Sequence, residues 1–223
     1  EQIWVRRAIP KTIALIGGAE AVSALMESLT VSDAFLRSKV IESLASLRRK
    51  NRALELAPET VRRQIREEAR RYLSDLVDLI AISSPHQLRF EGPHAEWGCE
   101  GRVPTLLQQF LARRMRRSIL NLFGLLELLY PPNDIRAALR SLSSGQGTLM
   151  ARALEYLDNR LAGGVRRDVF AVIEDLSIDG KVHRAEQMFS LVAESPAQTM
   201  RRFLALDLEQ DPDALGLVVA TIH

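Results

Sequence analysis

The sequence predicts an all-α protein, arranged as an α-solenoid of antiparallel helix pairs, and three observations support this. First, a helical segment occurs twice: residues 4–16 and 35–47 align at a shift of 31 positions, so that Trp4 falls on Phe35. A period of this length is typical of stacked helical units that cannot bury their apolar faces alone. Second, 47% of the residues are apolar but only 5% are aromatic. Third, Leu, Ala, Arg and Glu dominate and alternating strand-like runs are rare, a composition that favours helices.

Charge and cysteine content limit the function classes only loosely. The 223-residue chain has a formal net charge of +2, which gives little support to nucleic-acid binding. Cys99 is the single cysteine, so no internal disulfide forms, which fits a reducing compartment. The sequence shows no signal peptide and no run of about 18 apolar residues, so we expect no transmembrane segment within it. Since both ends fall inside helical or apolar patterns, we interpret the chain as a fragment of a longer protein.

Two short repeat units are predicted in residues 1–57. Apolar residues share one face of the first helix, at Val5, Ile9, Ile13 and Ile16. Pro10 removes one backbone donor and is expected to bend this helix, and Gly17 ends it. Ser32 or Asp33 caps the third helix. The predicted helices of this region are 3–16, 19–29 and 34–48.

A longer helix pair is predicted in residues 58–130. Its first helix covers about 60–82 and carries an apolar stripe beside a face rich in arginine and carboxylates. Its second helix covers 103–130, with Pro104 at a first helical position. Gly, Pro and mixed polar residues predict a loop insertion at 83–102. A loop of that length in a compact domain is either functional or mobile.

Further helix pairs are predicted in residues 131–223. Pro131 and Pro132 end the preceding helix, Thr148 is expected to cap a later one, and Gly163-Gly164 is expected to end that helix. The helices of this region are predicted at about 134–142, 148–161, 165–175, 181–193, 197–207 and 212–222.

The first repeat unit carries a recognisable pattern. Its residues are Val5-Arg6-Arg7-Ala8-Ile9-Pro10, Ile13-Ala14 and Ile16-Gly17-Gly18-Ala19-Glu20-Ala21, followed by Leu25, Leu29 and an acidic turn. This pattern resembles a HEAT-like repeat, of the short type that is also found in phycobilisome-lyase-like proteins. In such repeats the arginine of the first helix tends to tie neighbouring turns together. The resemblance therefore implies a structural role for Arg6 and Arg37.

A second pattern covers residues 119–175. It includes Leu129-Tyr130-Pro131-Pro132-Asn133-Asp134-Ile135 and Arg152-Ala153-Leu154-Glu155-Tyr156-Leu157-Asp158-Asn159. This stretch resembles HEAT-type segments of large bacterial membrane proteins, in which the solenoid accompanies a portion similar to the ATP/ADP translocases. The resemblance implies attachment to a membrane-embedded portion outside this chain, on the cytoplasmic side, and it implies no catalytic residue. Residues 176–223 match weakly, and Met150 stands where Arg6 and Arg37 stand in the first two units.

The two long helices place arginines where a cationic patch is expected. If helices 60–82 and 103–130 pair antiparallel, their arginines fall at similar heights and form a surface suited to phosphates or acidic partners. The alternative is a solvated face paired with nearby carboxylates such as Glu67 and Asp75. The predicted patch comprises Arg66, Arg70, Arg71, Arg113, Arg114, Arg116 and Arg117.

The loop at 83–102 contains two further kinds of candidate. Phe90 and Trp97 are aromatic residues in a polar stretch, which either pack back onto the helices or contact a partner. Metal-capable side chains also occur there, at His86, His94, Cys99, Glu91, Glu96 and Glu100, but their spacing fits no ligand pattern. We therefore expect no metal site and no cofactor.

These observations predict a non-enzymatic interaction or regulatory module that belongs to a larger, membrane-attached protein, because no catalytic motif is present. The alternative is a soluble nucleic-acid-binding solenoid, similar in fold to HEAT-like DNA glycosylases, that uses a basic helical face. A third hypothesis, a pigment lyase, requires a nucleophile, and Cys99 is the residue available for that role.

Overall fold

The computed structural model describes residues 3–54, 56–83, 89–91, 94–96 and 105–204. Within them every regular element is helical apart from one short hairpin, which confirms the predicted all-α class. The ten α-helices are α1 (Ile3–Ile16), α2 (Gly18–Glu27), α3 (Ala34–Lys50), α4 (Pro58–Ala81), α5 (Leu106–Leu129), α6 (Pro132–Leu142), α7 (Gly147–Arg160), α8 (Gly163–Ile173), α9 (Ile178–Phe189) and α10 (Pro196–Leu204), and a 3-10 turn at Ser28–Thr30 follows α2.

Local capping residues set several helix starts. The Asp33 carboxylate accepts hydrogen bonds from the backbone N–H groups of Phe35 and Leu36, at 2.8 and 2.9 Å, so Asp33 rather than Ser32 caps α3. At the start of α5, Thr105 and Gln108 form a reciprocal capping box. Both caps satisfy backbone donors that lack a partner within the helix.

Two predicted boundaries near α7 are wrong. The helix begins at Gly147, with Gln146 rather than Thr148 at the N-cap, and it ends at Arg160. Gly163 and Gly164 do not end it but open α8. The reason lies in the backbone: Gly163 has φ of 55°, a conformation that glycine adopts without strain, so it makes the sharp turn between the two helices.

The predicted loop insertion contains a β-hairpin. Strand β1 (Arg89–Glu91) pairs antiparallel with β2 (His94–Glu96), and Phe90 stands opposite Ala95. Three-residue strands contain too little alternation to be recognised in a sequence. Trp97, Cys99, His86 and the predicted helix at 212–222 lie outside the described residues.

Helix α4 is the centre of the packing. It pairs with α5 and also contacts α8, α9 and α10, which come from the end of the described chain. The pairing with α5 is antiparallel, because residue numbers rise on α5 as they fall on α4: Gln108 bonds Ser83, Arg114 bonds Asp75, and Asn121 bonds Glu68. Apolar residues of α4 and α5 form the middle of one continuous core.

The first three helices show the repeat in three dimensions. Helices α1 and α3 begin 31 residues apart, at Ile3 and Ala34, and they pack against each other, while α3 also packs against α5. In a linear solenoid, units contact their neighbours along the chain. The contacts of α4 with α8–α10 are of a different kind, so stacked helix pairs remain a prediction for the rest of the chain. No helix among the described residues is both long and apolar enough to cross a membrane.

Candidate interaction surface

A stripe of polar side chains is buried along α4. Gln64, Glu68, Asp75 and Asp78 are each at most 6% exposed, and their spacing places them on one side of the helix. Buried charges are costly unless they are paired. The carboxylates of the stripe therefore need cations, which Arg37 of α3, Arg114 of α5 and Arg202 of α10 supply together with Arg71 of α4 itself.

Glu68 is the best-paired member of this stripe. Its carboxylate accepts hydrogen bonds from Arg37 Nε at 2.9 Å, from Arg71 Nη1 at 2.8 Å and from Asn121 Nδ2 at 3.2 Å. Arg37 also donates to the carbonyls of Val31 and Ser32, at 2.8 and 3.2 Å. The Glu68 cluster, defined as Arg37, Glu68, Arg71 and Asn121, thus ties α3, α4 and α5 together. The structural role expected for Arg37 is present, whereas Arg6 at the equivalent position is exposed.

Asp75 and Asp78 continue the stripe toward the end of α4. Arg114 contacts both oxygens of Asp75, at 3.1 Å each, yet burial outweighs this pairing and raises the pKa of Asp75 to about 6. Asp78 pairs with Arg202 of α10, and burial raises its pKa as well. These pairs hold α5 and α10 on α4.

The predicted cationic patch is therefore divided. Arg66 donates to Asp168 of α8 at 3.2 Å, and its guanidinium lies 5.0 Å from the ring centroid of Phe189 in α9. Arg70 pairs with Glu67 within α4. Together with Arg71 and Arg114, these arginines join helices or pair within one, and they do not project as a single surface. This part of the patch resembles the salt-bridged alternative that the sequence also allowed.

The other three arginines of the predicted patch lie on α5. Arg113 and Arg116 are exposed, while Arg117 is half-buried with its guanidinium carbon 5.7 Å from the ring centroid of Phe35. Two more cations approach the same ring: the guanidinium carbon of Arg7 at 4.4 Å and the Nζ of Lys39 at 5.6 Å. Three helices, α1, α3 and α5, thus bring cations to one aromatic side chain.

We define the Phe35 surface by this ring, its neighbouring cations and the exposed residues of α5 beside them. Leu120 belongs to it, because it is 52% exposed and lies one turn after Arg116 and Arg117. The members are Arg7, Phe35, Lys39, Arg113, Arg116, Arg117 and Leu120.

The Phe35 surface has an excess of positive charge. Asp33 lies 4.0 Å from Arg7, and Glu42 lies 2.9 Å from Lys39. Two carboxylates thus stand beside five cations. Like charges that converge on one ring repel each other, so an anion that binds among them relieves this repulsion. The aromatic ring also holds the cationic groups of Arg7, Lys39 and Arg117 in place.

Four members of this surface are not among the residues that the sequence predicts for the patch. Phe35 occupies a repeat position, and Arg7, Lys39 and Leu120 belong to no predicted site. One signal was present, because Lys39 follows Phe35 by four residues and therefore lies on the same side of α3. The approach of Arg7 and Arg117 depends on how α1 and α5 pack on α3. Of the two loop aromatics, Phe90 lies on β1, and Trp97 is not among the described residues.

Two residues of the second sequence pattern contact each other. The Tyr156 hydroxyl donates to Asp134 Oδ2 at 3.1 Å and links α7 to α6 beside a cleft of about 270 Å³. Burial and the neighbouring Asp134 carboxylate raise the pKa of Tyr156. No group of three or more metal-capable side chains occurs among the residues that the structure describes.

Comparison with protein-family models, with curated proteins and with solved structures found no match to this chain.

Proposed function

We propose that this chain is a non-catalytic interaction module that binds the acidic segment of a protein partner through the Phe35 surface. The observation that carries the proposal is the approach of Arg7, Lys39 and Arg117 to one ring, with centroid distances of 4.4, 5.6 and 5.7 Å. Cations that only stabilise the fold pair with buried carboxylates, as Arg37 does. These three surround a half-buried aromatic residue, and the carboxylates beside them, Asp33 and Glu42, are not buried.

A chain of this kind acts by presenting a surface. Helices α1, α3 and α5 lie side by side and hold the cations at fixed positions, so that little side-chain freedom is lost when a partner binds. Leu120 adds an apolar contact of the type that anchors protein interfaces. The α-solenoid arrangement and attachment to a membrane-embedded portion belong to this proposal and rest on the repeat and on the two sequence resemblances.

The test compares a triple arginine variant of the Phe35 surface with a double arginine variant elsewhere on the chain. Arg113→Ala/Arg116→Ala/Arg117→Ala removes cations of the Phe35 surface, and Arg62→Ala/Arg63→Ala removes exposed arginines of α4 as the control. The probe is a fluorescent 20-residue peptide of alternating Glu and Ser, whose binding is followed by anisotropy. We expect the triple variant to weaken binding by at least about tenfold, while the control stays within twofold of the parent. Equal losses in both variants mean that only bulk charge matters and refute the proposal.

Nucleic-acid binding is the alternative that the same cations favour. Duplex DNA releases condensed counterions, so its binding weakens steeply with salt, by about 10³-fold or more between 50 and 200 mM when six phosphates are contacted. A 20-base-pair duplex measured beside the acidic peptide separates the two cases. If the duplex binds more tightly at 150 mM salt and the triple variant abolishes it, the nucleic-acid function replaces the protein partner.

Membrane attachment has its own test. Cells that express the full-length parent protein are fractionated, and the membranes are washed at high pH. Retention of this segment in the pellet supports a membrane-embedded portion elsewhere in the parent. Complete release of this segment into the wash contradicts membrane attachment but does not bear on binding at the Phe35 surface.

A further inference from the structure

Exposed apolar side chains are concentrated on α1. Val5 is 53% exposed, Ile9 47%, Leu15 72% and Ile16 79%, and these four are more than half of the seven large apolar side chains that are exposed among the described residues. Val5, Ile9 and Ile16 fall within about 40° of each other around the helix. They form one apolar face, which the sequence places at the repeat positions and the structure leaves open to solvent.

The repeat shows what such a face contacts when it is covered. Ile9 is equivalent to Val40 of α3, and Ile16 to Leu47, at the shift of 31 residues. Val40 is 1% exposed and Leu47 is 8% exposed, because helices pack over this face of α3. The equivalent residues of α1, Ile9 and Ile16, are 47% and 79% exposed. The face of α1 thus has the residues of a helix-packing surface.

A groove lies next to this face, between α1, α2 and the start of α3. Its volume is about 290 Å³, its apolar lining includes Ile9, Ile13 and Leu25, and Arg6 and Glu27 stand among its polar residues. Pro10 also lines it and has no N–H to donate to the carbonyl of Arg6 one turn earlier. The groove is concave and accepts side chains one at a time, which suits a helix better than the flat surface of a bilayer.

Charge restricts which helix fits. Helix α1 carries Arg6, Arg7 and Lys11 and contains no carboxylate between Ile3 and Ile16. Packing α1 against α1 of a second copy places cations beside cations. In contrast, Arg37, which is equivalent to Arg6, donates to the Glu68 carboxylate. A helix that carries carboxylates beside its apolar stripe complements Arg6, which lies about 60° from Ile9 around α1, on one flank of the face. On the other flank it complements Lys11, which lies beyond the exposed Leu15.

We propose that the α1 face and its groove bind an amphipathic helix of a partner protein, with apolar anchors one turn apart and acidic residues along both edges. This α1 site is separate from the Phe35 surface. Arg7, which contacts Phe35, and Ile9, which lines the groove, lie about 160° apart around α1. One partner molecule therefore contacts the α1 site without covering the Phe35 ring.

The test uses two designed 18-residue helical peptides as probes. Both carry Leu at positions 3, 7, 10 and 14, and one has Glu at the flanking positions where the other has Lys. Binding to the full chain is followed by fluorescence anisotropy. We expect the Glu peptide to bind the parent at least about tenfold more tightly than the Lys peptide. We expect Arg6→Glu/Lys11→Glu to reverse that preference.

One variant of the α1 face and two control variants locate the binding. Val5→Ser/Ile16→Ser is expected to weaken binding of the Glu peptide by at least about tenfold. Val192→Ser, at an apolar side chain that is 68% exposed outside both surfaces, and Arg62→Ala/Arg63→Ala on α4 are expected to leave it within twofold. Because the altered α1 side chains are exposed, circular dichroism should show an unchanged fold.

Three results overturn this proposal. The first is that the Glu peptide does not bind, or binds without any preference over the Lys peptide. The second is that sedimentation shows self-association of the parent that Val5→Ser/Ile16→Ser abolishes, which assigns the face to a second copy. The third is that vesicles of phosphatidylglycerol and phosphatidylcholine bind the parent through the same residues while the Glu peptide does not. If the Phe35 surface fails its own test but the Glu peptide binds, the α1 site stands alone.

Discussion

Removal of the Glu68 carboxylate should be among the most destabilising single changes in this chain. The Arg37 and Glu68 side chains are 5% and 1% exposed, and the Arg37 Nε lies 2.9 Å from Glu68 Oε1. Glu68→Ala leaves the Arg37 guanidinium buried, with its bonds to two backbone carbonyls but without its counter-charge, and it removes the acceptor of Asn121. Breaking a buried pair on one side costs about 3–5 kcal/mol. We expect a decrease of that size in the free energy of unfolding.

The measurement is urea unfolding followed by far-ultraviolet circular dichroism, with the unfolding midpoint and slope fitted for each variant. Glu68→Gln keeps an acceptor without the charge and should lower the free energy of unfolding by about 2 kcal/mol. The double variant Arg37→Met/Glu68→Leu replaces both charges by apolar side chains and should recover most of the loss. Glu59→Ala is the matched control, because the Glu59–Arg62 pair on the same helix is exposed.

A loss below about 1 kcal/mol for Glu68→Ala would refute this reasoning, since that is the range of exposed pairs. It would mean that water enters and solvates Arg37 when Glu68 is removed. A double variant as unstable as Glu68→Ala would show instead that Arg37 acts mainly through its bonds to the Val31 and Ser32 carbonyls.

Two further predictions concern α4 and α5. Because the pKa of Asp75 is about 6 in the folded chain and about 3.9 when unfolded, the folded state binds the proton more tightly, and its stability falls as pH rises from about 4 to 6. Relative to Asp75→Asn, the free energy of unfolding of the parent should fall by up to about 3 kcal/mol over that pH range, as measured by urea unfolding at each pH. A parent that instead becomes more stable than Asp75→Asn as the pH rises would show that Arg114 outweighs burial. At Gly124, an added Cβ lies 2.7 Å from Ile41 Cγ2, a methyl on a stiff branched side chain, so Gly124→Ala should destabilise by about 1–3 kcal/mol despite its better helix propensity. Gly164→Ala, which meets nothing within 4 Å, is the control in thermal unfolding, and equal melting temperatures for the two variants would contradict the clash.

The division of the arginines shows why site prediction from sequence was incomplete. A run such as Arg113-Arg114-Arg116-Arg117 gives the charge of a helix but not the neighbour of each side chain. Arg114 turns to Asp75 on α4, Arg117 to Phe35 on α3, and Arg113 remains exposed. The contact that each arginine makes depends on its angle around α5 and on which helix packs against that side of α5.

By itself, the sequence determined the features that depend on neighbouring residues. The apolar period predicts each long helix because side chains three and four residues apart share a face, and capping residues such as Asp33 mark a start because their side chains bond the nearest free N–H groups. The 31-residue repeat likewise predicts that α1 and α3 begin at equivalent positions.

Only the tertiary structure decided which of these equivalent faces is covered. Val40 is buried and Ile9 is exposed although the local sequence treats them alike, because burial depends on whether another helix lies above the face. The same holds for α4, which contacts α8, α9 and α10 across more than 80 residues of chain. Contacts at such separation depend on the summed packing of many side chains, and no local pattern encodes them.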